Sequence, residues 1–393
     1  CALPIYGISA MMRLCAGMSR SRQYPFFSGS AMTLQLPRGP VMVDVAGCSL
    51  SDDDRRRLSH PMVGAVILFR RNFESVGQLR SLTEEIRSLR SPHLLIAVDH
   101  EGGRVQRFLT GFTRLPPMQV LGALWEKSPE AALDLAHDVG EVLATELRAS
   151  GVDLSFTPVL DIDHGRCAVI GNRSFHADPN IVATLAEALT RGLVAGGMIA
   201  CGKHFPGHGA VEGDSHHVIP VDHRSYASIE EADLIPFARL AAAGMHAVMP
   251  AHVVYDAVDP LPAGFSPFWL QTVLRERLGF DGTIFSDDLC MEGAAGAGGI
   301  AARAQAAFAA GCDMALVCNR PDLADELLAQ LDMPVTPELT GRLAAMAGHG
   351  EVADWQQKLD GDAFRTKAAK VAALAATAEP SRILAGPAVG ESA

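Results

Sequence analysis

The sequence predicts an α/β protein organised as a single (β/α)8 TIM barrel with short non-barrel extensions at its N- and C-termini. Eight short apolar, β-branched runs alternate with stretches of helical periodicity, which argues for a parallel sheet. Those eight runs occupy about 280 residues, the length of one closed barrel. Titratable residues gather where the runs end, as they do when a barrel builds its site at the C-terminal ends of its strands.

In chain order the runs are 40–45 (PVMVDV), 64–69 (GAVILF), 94–99 (LLIAVD), 154–162 (LSFTPVLDI), 198–205 (MIACGKHF), 247–253 (AVMPAHV), 282–288 (GTIFSDD) and 314–319 (MALVCN). Between the third and fourth, residues 128–151 place apolar side chains at i, i+3, i+4 and i+7, with Ser128 as N-cap and Gly151 at the end. An open doubly wound sheet is the competing architecture. It lacks a GxGxxG turn after its first strand, and GAAGAGG (293–299) follows a strand without the required spacing.

Composition narrows the partners. The 393 residues include 33 Lys and Arg against 45 Asp and Glu, so 33 − 45 = −12, and a polyanion meets net repulsion. Nucleic acid and anionic membrane surfaces are therefore not expected partners. No run of 18 or more apolar residues predicts a membrane span. The eight cysteines are scattered without a CxxC pair and read as reduced packing residues of a cytoplasmic protein. The chain opens at Cys1 without a basic region before its modest apolar run, so residues 1–31 read as vector-derived or upstream sequence with a start at Met32. The expected organisation is an extension over 1–38, a catalytic barrel over 39–345, and an Ala-rich helix (362–379) with a flexible tail within 346–393.

The strand ends carry the chemistry. The third ends in Asp99, the fourth in Asp161 and Asp163, the fifth in Lys203 and His204, the sixth in His252, the seventh in Asp287 and Asp288, and the eighth in Asn319. KHFPGHGAVEGDSHH (203–217) packs four histidines, a lysine and an aspartate into fifteen residues, with glycines that let the loop move. Within it Asp214 and His216 lie at i and i+2, close enough for the carboxylate to fix the imidazole tautomer and favour imidazolium, making His216 a candidate proton donor. A metal site drawn from His204, His208, Asp214 and His216 or His217 is the alternative, although no HxH or HExxH spacing supports it.

SDDLCMEG (286–293) offers one carboxylate aimed into the mouth, which an oxocarbenium-like transition state requires. Asp287 is the choice for that group and Asp288 for its hydrogen-bonding support; the bland alternative is that both cap the next helix. In VDHEGGRVQRF (98–108), Asp99 and the arginines Arg104 and Arg107 suit a site that grips hydroxyls, with a structural ion pair equally open for Arg104. Arg173, in IGNRSFHADP (170–179), can reach the same mouth.

Together with MPAHVVYDAVDP and FDGTIFSDDLCMEGAA, these motifs, in this order and spacing, resemble the bacterial family 3 glycoside hydrolases. Within that family they are similar to the single-domain β-N-acetylglucosaminidases of cell-wall recycling. The likeness runs from Gly39 to Asn319. It implies Asp287 as nucleophile, His216 as general acid/base paired with Asp214, and Asp99, Arg107, Arg173, Lys203 and His204 as holders of the terminal sugar. The implied substrate is N-acetylglucosamine (GlcNAc) β-linked to 1,6-anhydro-N-acetylmuramic acid, with or without peptide. A cytoplasmic monomer with neither metal nor organic cofactor is expected, because proton transfer, covalent capture and electrostatic placement are all available from side chains. Two competing functions are a metal-dependent barrel hydrolase using the 204–217 histidines and a broad β-glucosidase on the same scaffold.

Overall fold

Successive side chains of a strand point to opposite faces, so the parity of each run decides what enters the barrel and what meets the helices. The computed structural model describes residues 34–212 and 219–378. Its barrel strands are β1 (Val41–Asp44), β2 (Val63–Leu68), β3 (Leu95–Val98), β4 (Leu154–Ser155), β5 (Cys201–Phe205), β6 (Ala247–Pro250), β7 (Thr283–Asp288) and β8 (Met314–Val317). They are hydrogen-bonded in the order β4-β3-β2-β1-β8-β7-β6-β5, every pair parallel.

Closure runs between the chain after β4 and β5. Val159 bridges Lys203, Cys201 N donates to Thr157 O at 2.8 Å and Leu160 N to Lys203 O at 2.6 Å. The fourth run, expected over 154–162, is regular only at Leu154–Ser155. Pro158 has no N–H to give the ladder, so beyond Ser155 the run keeps only scattered bonds to β5.

Met42, Ala65, Ile67, Leu95, Ala97, Cys201, Phe285 and Leu316 pack together inside the barrel, while Val43, Val66, Ile96, Val98, Ile284 and Val317 join the larger core under the helices. Extending the interior parity to the strand ends brings Asp44, Asp99, Lys203 and Asp287 to the mouth. The same alternation that fills the barrel thus delivers its charges.

The helix expected over 128–151 spans Pro129–Arg148. Ser128 is its N-cap in an extended conformation, but its hydroxyl makes no capping bond; Pro129 in the first turn needs no N–H partner. The Pro179–Ala195 helix is capped by Asp178, whose carboxylate accepts from Asn180 N at 2.8 Å. These two helices approach to backbone contact: a Cβ on Gly192 would lie 2.0 Å from His137 O, and one on Gly140 2.1 Å from Leu189 O. GAAGAGG falls largely in a 3-10 turn, Glu292–Ala297, directly after β7.

At the C-terminal end, Val352–Leu359 and Asp362–Ala376 lie against the Pro129–Arg148 helix. Phe364 and Val371 are buried there, Lys358 Nζ sits 2.9 Å from Glu141 and Lys367 Nζ 3.2 Å from Asp138. No helix among the described residues is long and apolar enough to cross a membrane. Residues 1–31 with the start expected at Met32, the tail beyond 378, and Asp214, His216 and His217 lie outside the described residues.

Candidate active site

Asp99 directly follows β3, and the chain then turns back on itself. His100–Gly102 pairs antiparallel with Val105–Gln106, a reversal made possible by Gly102 at φ 120° and Gly103 at φ 56°. The hairpin returns Arg107 to Asp99, with Nη2 3.7 Å from Oδ2. From β5, Lys203 Nζ donates to Asp99 Oδ1 at 2.8 Å and reaches Glu101 Oε1 at 2.7 Å. Arg173, in the 3-10 turn Gly171–Arg173, closes on Glu101 as a fork, with Nε 2.8 Å from Oε2 and Nη2 2.7 Å from Oε1.

Arg107, Lys203, Glu101 and Arg173 are all nearly inaccessible, whereas the Asp99 side chain is 21% exposed. Burial opposes ionisation of Glu101, but Arg173 and Lys203 outweigh it and hold the carboxyl well below its usual range. Burial likewise works against the Lys203 charge, and Asp99 with Glu101 overcomes it, raising the ammonium pKa. Three cations against two carboxylates leave a permanently charged wall with Asp99 as its most accessible acceptor, an arrangement suited to gripping sugar hydroxyls.

His204 turns its Nδ1 to Asp161 Oδ2 at 2.6 Å, and the backbone N–H of His208 donates to Asp161 Oδ1 at 2.6 Å. Asp161 is fully buried, which by itself opposes its charge; the His204 interaction wins and lowers its pKa. The carboxylate therefore fixes the orientation of the imidazole. Burial, followed by the nearby His204, pushes the His208 imidazole down to about 4, while the carboxylate of Asp287 acts on it in the opposite direction. His208 Nδ1 also lies 3.4 Å from Cys167 Sγ.

Asp287 thus belongs to the same electrostatic neighbourhood, although it comes from β7. Its Oδ1 accepts from Asp288 N at 2.9 Å. Asp288 instead braces the strand ends, accepting from Cys290 N at 2.9 Å and Cys318 N at 3.1 Å; burial, aided by Asp287, pushes its carboxyl up to about 7. His252 Nε2 is 3.1 Å from Asp288 O.

Of the residues singled out by sequence, the fold joins Asp99, Arg107 and Lys203 directly and Arg173 through Glu101. His204 stands beside them on β5, and Asp287 faces the group from β7. Arg104 reaches the carbonyl of Ala168 at 2.9 Å and also that of Val169, bracing a loop. Asp163 caps a turn through Gly165 N at 2.9 Å. Glu101 was not among the sequence candidates; its position two residues after Asp99, on the same parity, was the available signal. Asp161 was noted only as a strand end. Its role as partner to His204 requires the β4–β5 closure. Among the described residues, the group with metal-ligand proximity is His137, Asp138 and Glu141, on an outer helix where Lys358 and Lys367 already meet the carboxylates.

A (β/α)8 barrel whose mouth sets a strand-end carboxylate beside a wall of paired charges has the architecture of a barrel glycoside hydrolase. A model of the glycosyl hydrolase family 3 N terminal domain matches residues 34–339. The chain belongs to that family. It is 64% identical over 358 residues to a Beta-hexosaminidase of Chromobacterium violaceum, covering 91% of this chain and 99% of the relative. A Beta-hexosaminidase of Neisseria meningitidis serogroup A is 57% identical over 357 residues, with 91% and 98% covered. The crystal structure of NagZ from Neisseria gonorrhoeae in complex with N-trifluoroacetyl-D-glucosamine superposes with a TM-score of 0.84 at 56% identity, covering 87% of this chain and all of the other.

Proposed function

We propose that this chain is a retaining exo-β-N-acetylglucosaminidase of the β-hexosaminidase type. It removes terminal GlcNAc from GlcNAc-1,6-anhydro-N-acetylmuramic acid, with or without peptide, as a cytoplasmic monomer in cell-wall recycling. The observation that carries the reading is Asp287, on the interior parity of β7 and close enough to act on His208, which shares Asp161 with His204. The high identity to β-hexosaminidases supports the sugar class.

In this reading Asp99, Arg107, Lys203 and His204 hold the terminal sugar, and Arg173 stiffens that wall through Glu101. Asp287 attacks the anomeric carbon as His216, an imidazolium oriented by Asp214, protonates the leaving oxygen. A glycosyl-Asp287 ester forms; neutral His216 then takes a proton from water, which attacks the same carbon and releases the sugar with retained configuration.

The test combines turnover with trapping. A p-nitrophenyl β-GlcNAc glycoside is cleaved well and the matching β-glucoside poorly, because pocket groups placed for an acetamido substituent are left unpaired by a sugar without one. Equal kcat/KM for the two removes the N-acetyl specificity. A 5-fluoro glycosyl donor labels Asp287, and Asp287→Asn lowers kcat by about 10³ or more while folding normally. An adduct on Asp288 removes the assignment. Undiminished activity in the presence of a strong chelator separates this mechanism from one that uses the 204–217 histidines as metal ligands.

A further inference from the structure

The arc of the mouth opposite the sugar-gripping wall carries a second organised charge. Arg71 lies in the 3-10 turn Arg70–Asn72 just after β2, Asp44 ends β1, and Asn319 follows β8, so three adjacent strands meet at one guanidinium. Arg71 Nη2 pairs with Asp44 Oδ2, and Nη1 donates to Asn319 Oδ1 at 2.7 Å. Asn319 N in turn donates to the same Asp44 oxygen at 3.0 Å. The guanidinium carbon stands 4.6 Å from the centroid of the Phe69 ring.

Asn319 holds φ at 60°, and it is the one non-glycine residue with positive φ among the described residues. Such a conformation is sparsely populated and persists where the surroundings over-determine it. Here it aims the amide oxygen at Arg71. Yet the Arg71 side chain stays 36% exposed, while Asp44 beneath it is only 8% exposed. A long cationic side chain has been immobilised on the catalytic face with part of its donor fork still open to solvent.

We propose that Arg71, held by Asp44 and Asn319, is an aglycone subsite that reads a carboxylate on the leaving group. The inference rests on the glycosidase reading above. With the terminal sugar on the β3–β5 wall and its anomeric carbon over Asp287 of β7, the leaving group extends over the remaining arc, formed by β8, β1 and β2. The carboxylates available there are the lactyl group of a muramic acid and those of a peptide attached to it. A planar guanidinium restrained on one side presents its remaining N–H groups to such an acceptor at little entropic cost.

The experiment compares kcat/KM for GlcNAc-1,6-anhydro-N-acetylmuramic acid with a free lactyl carboxylate and for its primary amide, which has the same shape without the charge. The wild-type enzyme favours the acid. In Arg71→Gln the acid-to-amide ratio falls by about tenfold, the loss expected for a charge-assisted contact, and Arg71→Lys keeps part of it. Asn319→Gly, which tolerates the same φ but removes the orienting oxygen, lowers the ratio by a smaller factor. A ratio of one in the wild type overturns the proposal. So does a ratio unchanged in Arg71→Gln, including the case in which acid and amide suffer equally, which marks the trio as a strand clamp alone. If the wild type also fails on p-nitrophenyl β-GlcNAc, the glycosidase reading itself has failed; turnover of that compound without acid preference confines the failure to the subsite.

Discussion

At the scale of single residues, the wall of the mouth shows how a buried ionic cluster is kept charged. Glu101 touches both Lys203 and Arg173, and all three side chains are 3–4% exposed. Glu101→Ala leaves buried Arg173 without its carboxylate and Lys203 with Asp99 alone, a change expected to cost about 3–5 kcal/mol in chemical denaturation, whereas Asp99→Ala costs less because Asp99 reaches solvent. Glu146 behaves in the opposite way. It accepts from Thr113 N at 2.9 Å and Thr113 Oγ1 at 2.6 Å, but burial dominates and pushes its carboxyl up to about 7. Its folded pKa exceeds its unfolded one, so its contribution to stability is complete below the ordinary carboxyl pKa and is lost as pH rises through 7. The melting temperature of Glu146→Gln relative to wild type should therefore improve between about pH 5 and 8. A constant difference across that range would show that Glu146 does not titrate there.

At the scale of elements, parity and glycine placement do most of the positioning. Asp99 and Asp287 were readable at the mouth because each stands at the end of an apolar run; that both lie on the interior parity came from the packing. The helices made contacts of a kind that periodicity does not reveal. Gly192 and Gly140 let the Pro179–Ala195 and Pro129–Arg148 helices approach until backbone meets backbone. Gly192→Ala, favourable by helix propensity alone, must move a carbonyl that would stand 2.0 Å from the new carbon. A net loss of about 1–3 kcal/mol in urea titration is expected from overpacking, with little change in m-value. A stabilised Gly192→Ala would mean that the helices separate readily and that propensity decides. The Pro129–Arg148 helix illustrates the limit of local signals: Ser128 stands at the right place but leaves its hydroxyl out of the cap, whereas Asp178, also followed by a proline, makes its cap bond.

At the scale of the whole molecule, the C-terminal helices share a core with the barrel's outer layer. Phe364 and Val371 are buried against it, and Lys358 and Lys367 neutralise Asp138 and Glu141. Removing residues 351–393 should lower stability by on the order of 3 kcal/mol, from the loss of two buried apolar side chains, and should lower the melting temperature. The effect on kcat/KM measured well below that temperature should be small, because the deleted helices contact the outer layer and not the mouth. An unchanged melting temperature would show that they contribute nothing to the fold. The sequence by itself determined the eight strands and the strand-end groups Asp99, Lys203, His204 and Asp287, because apolar runs and the residues that end them are local properties of the chain. Only the tertiary structure decided which charges pair. Glu101 with Lys203 and Arg173, Asp161 with His204, and Asp44 with Arg71 and Asn319 join residues far apart in the chain, and barrel closure and burial make those pairings obligatory.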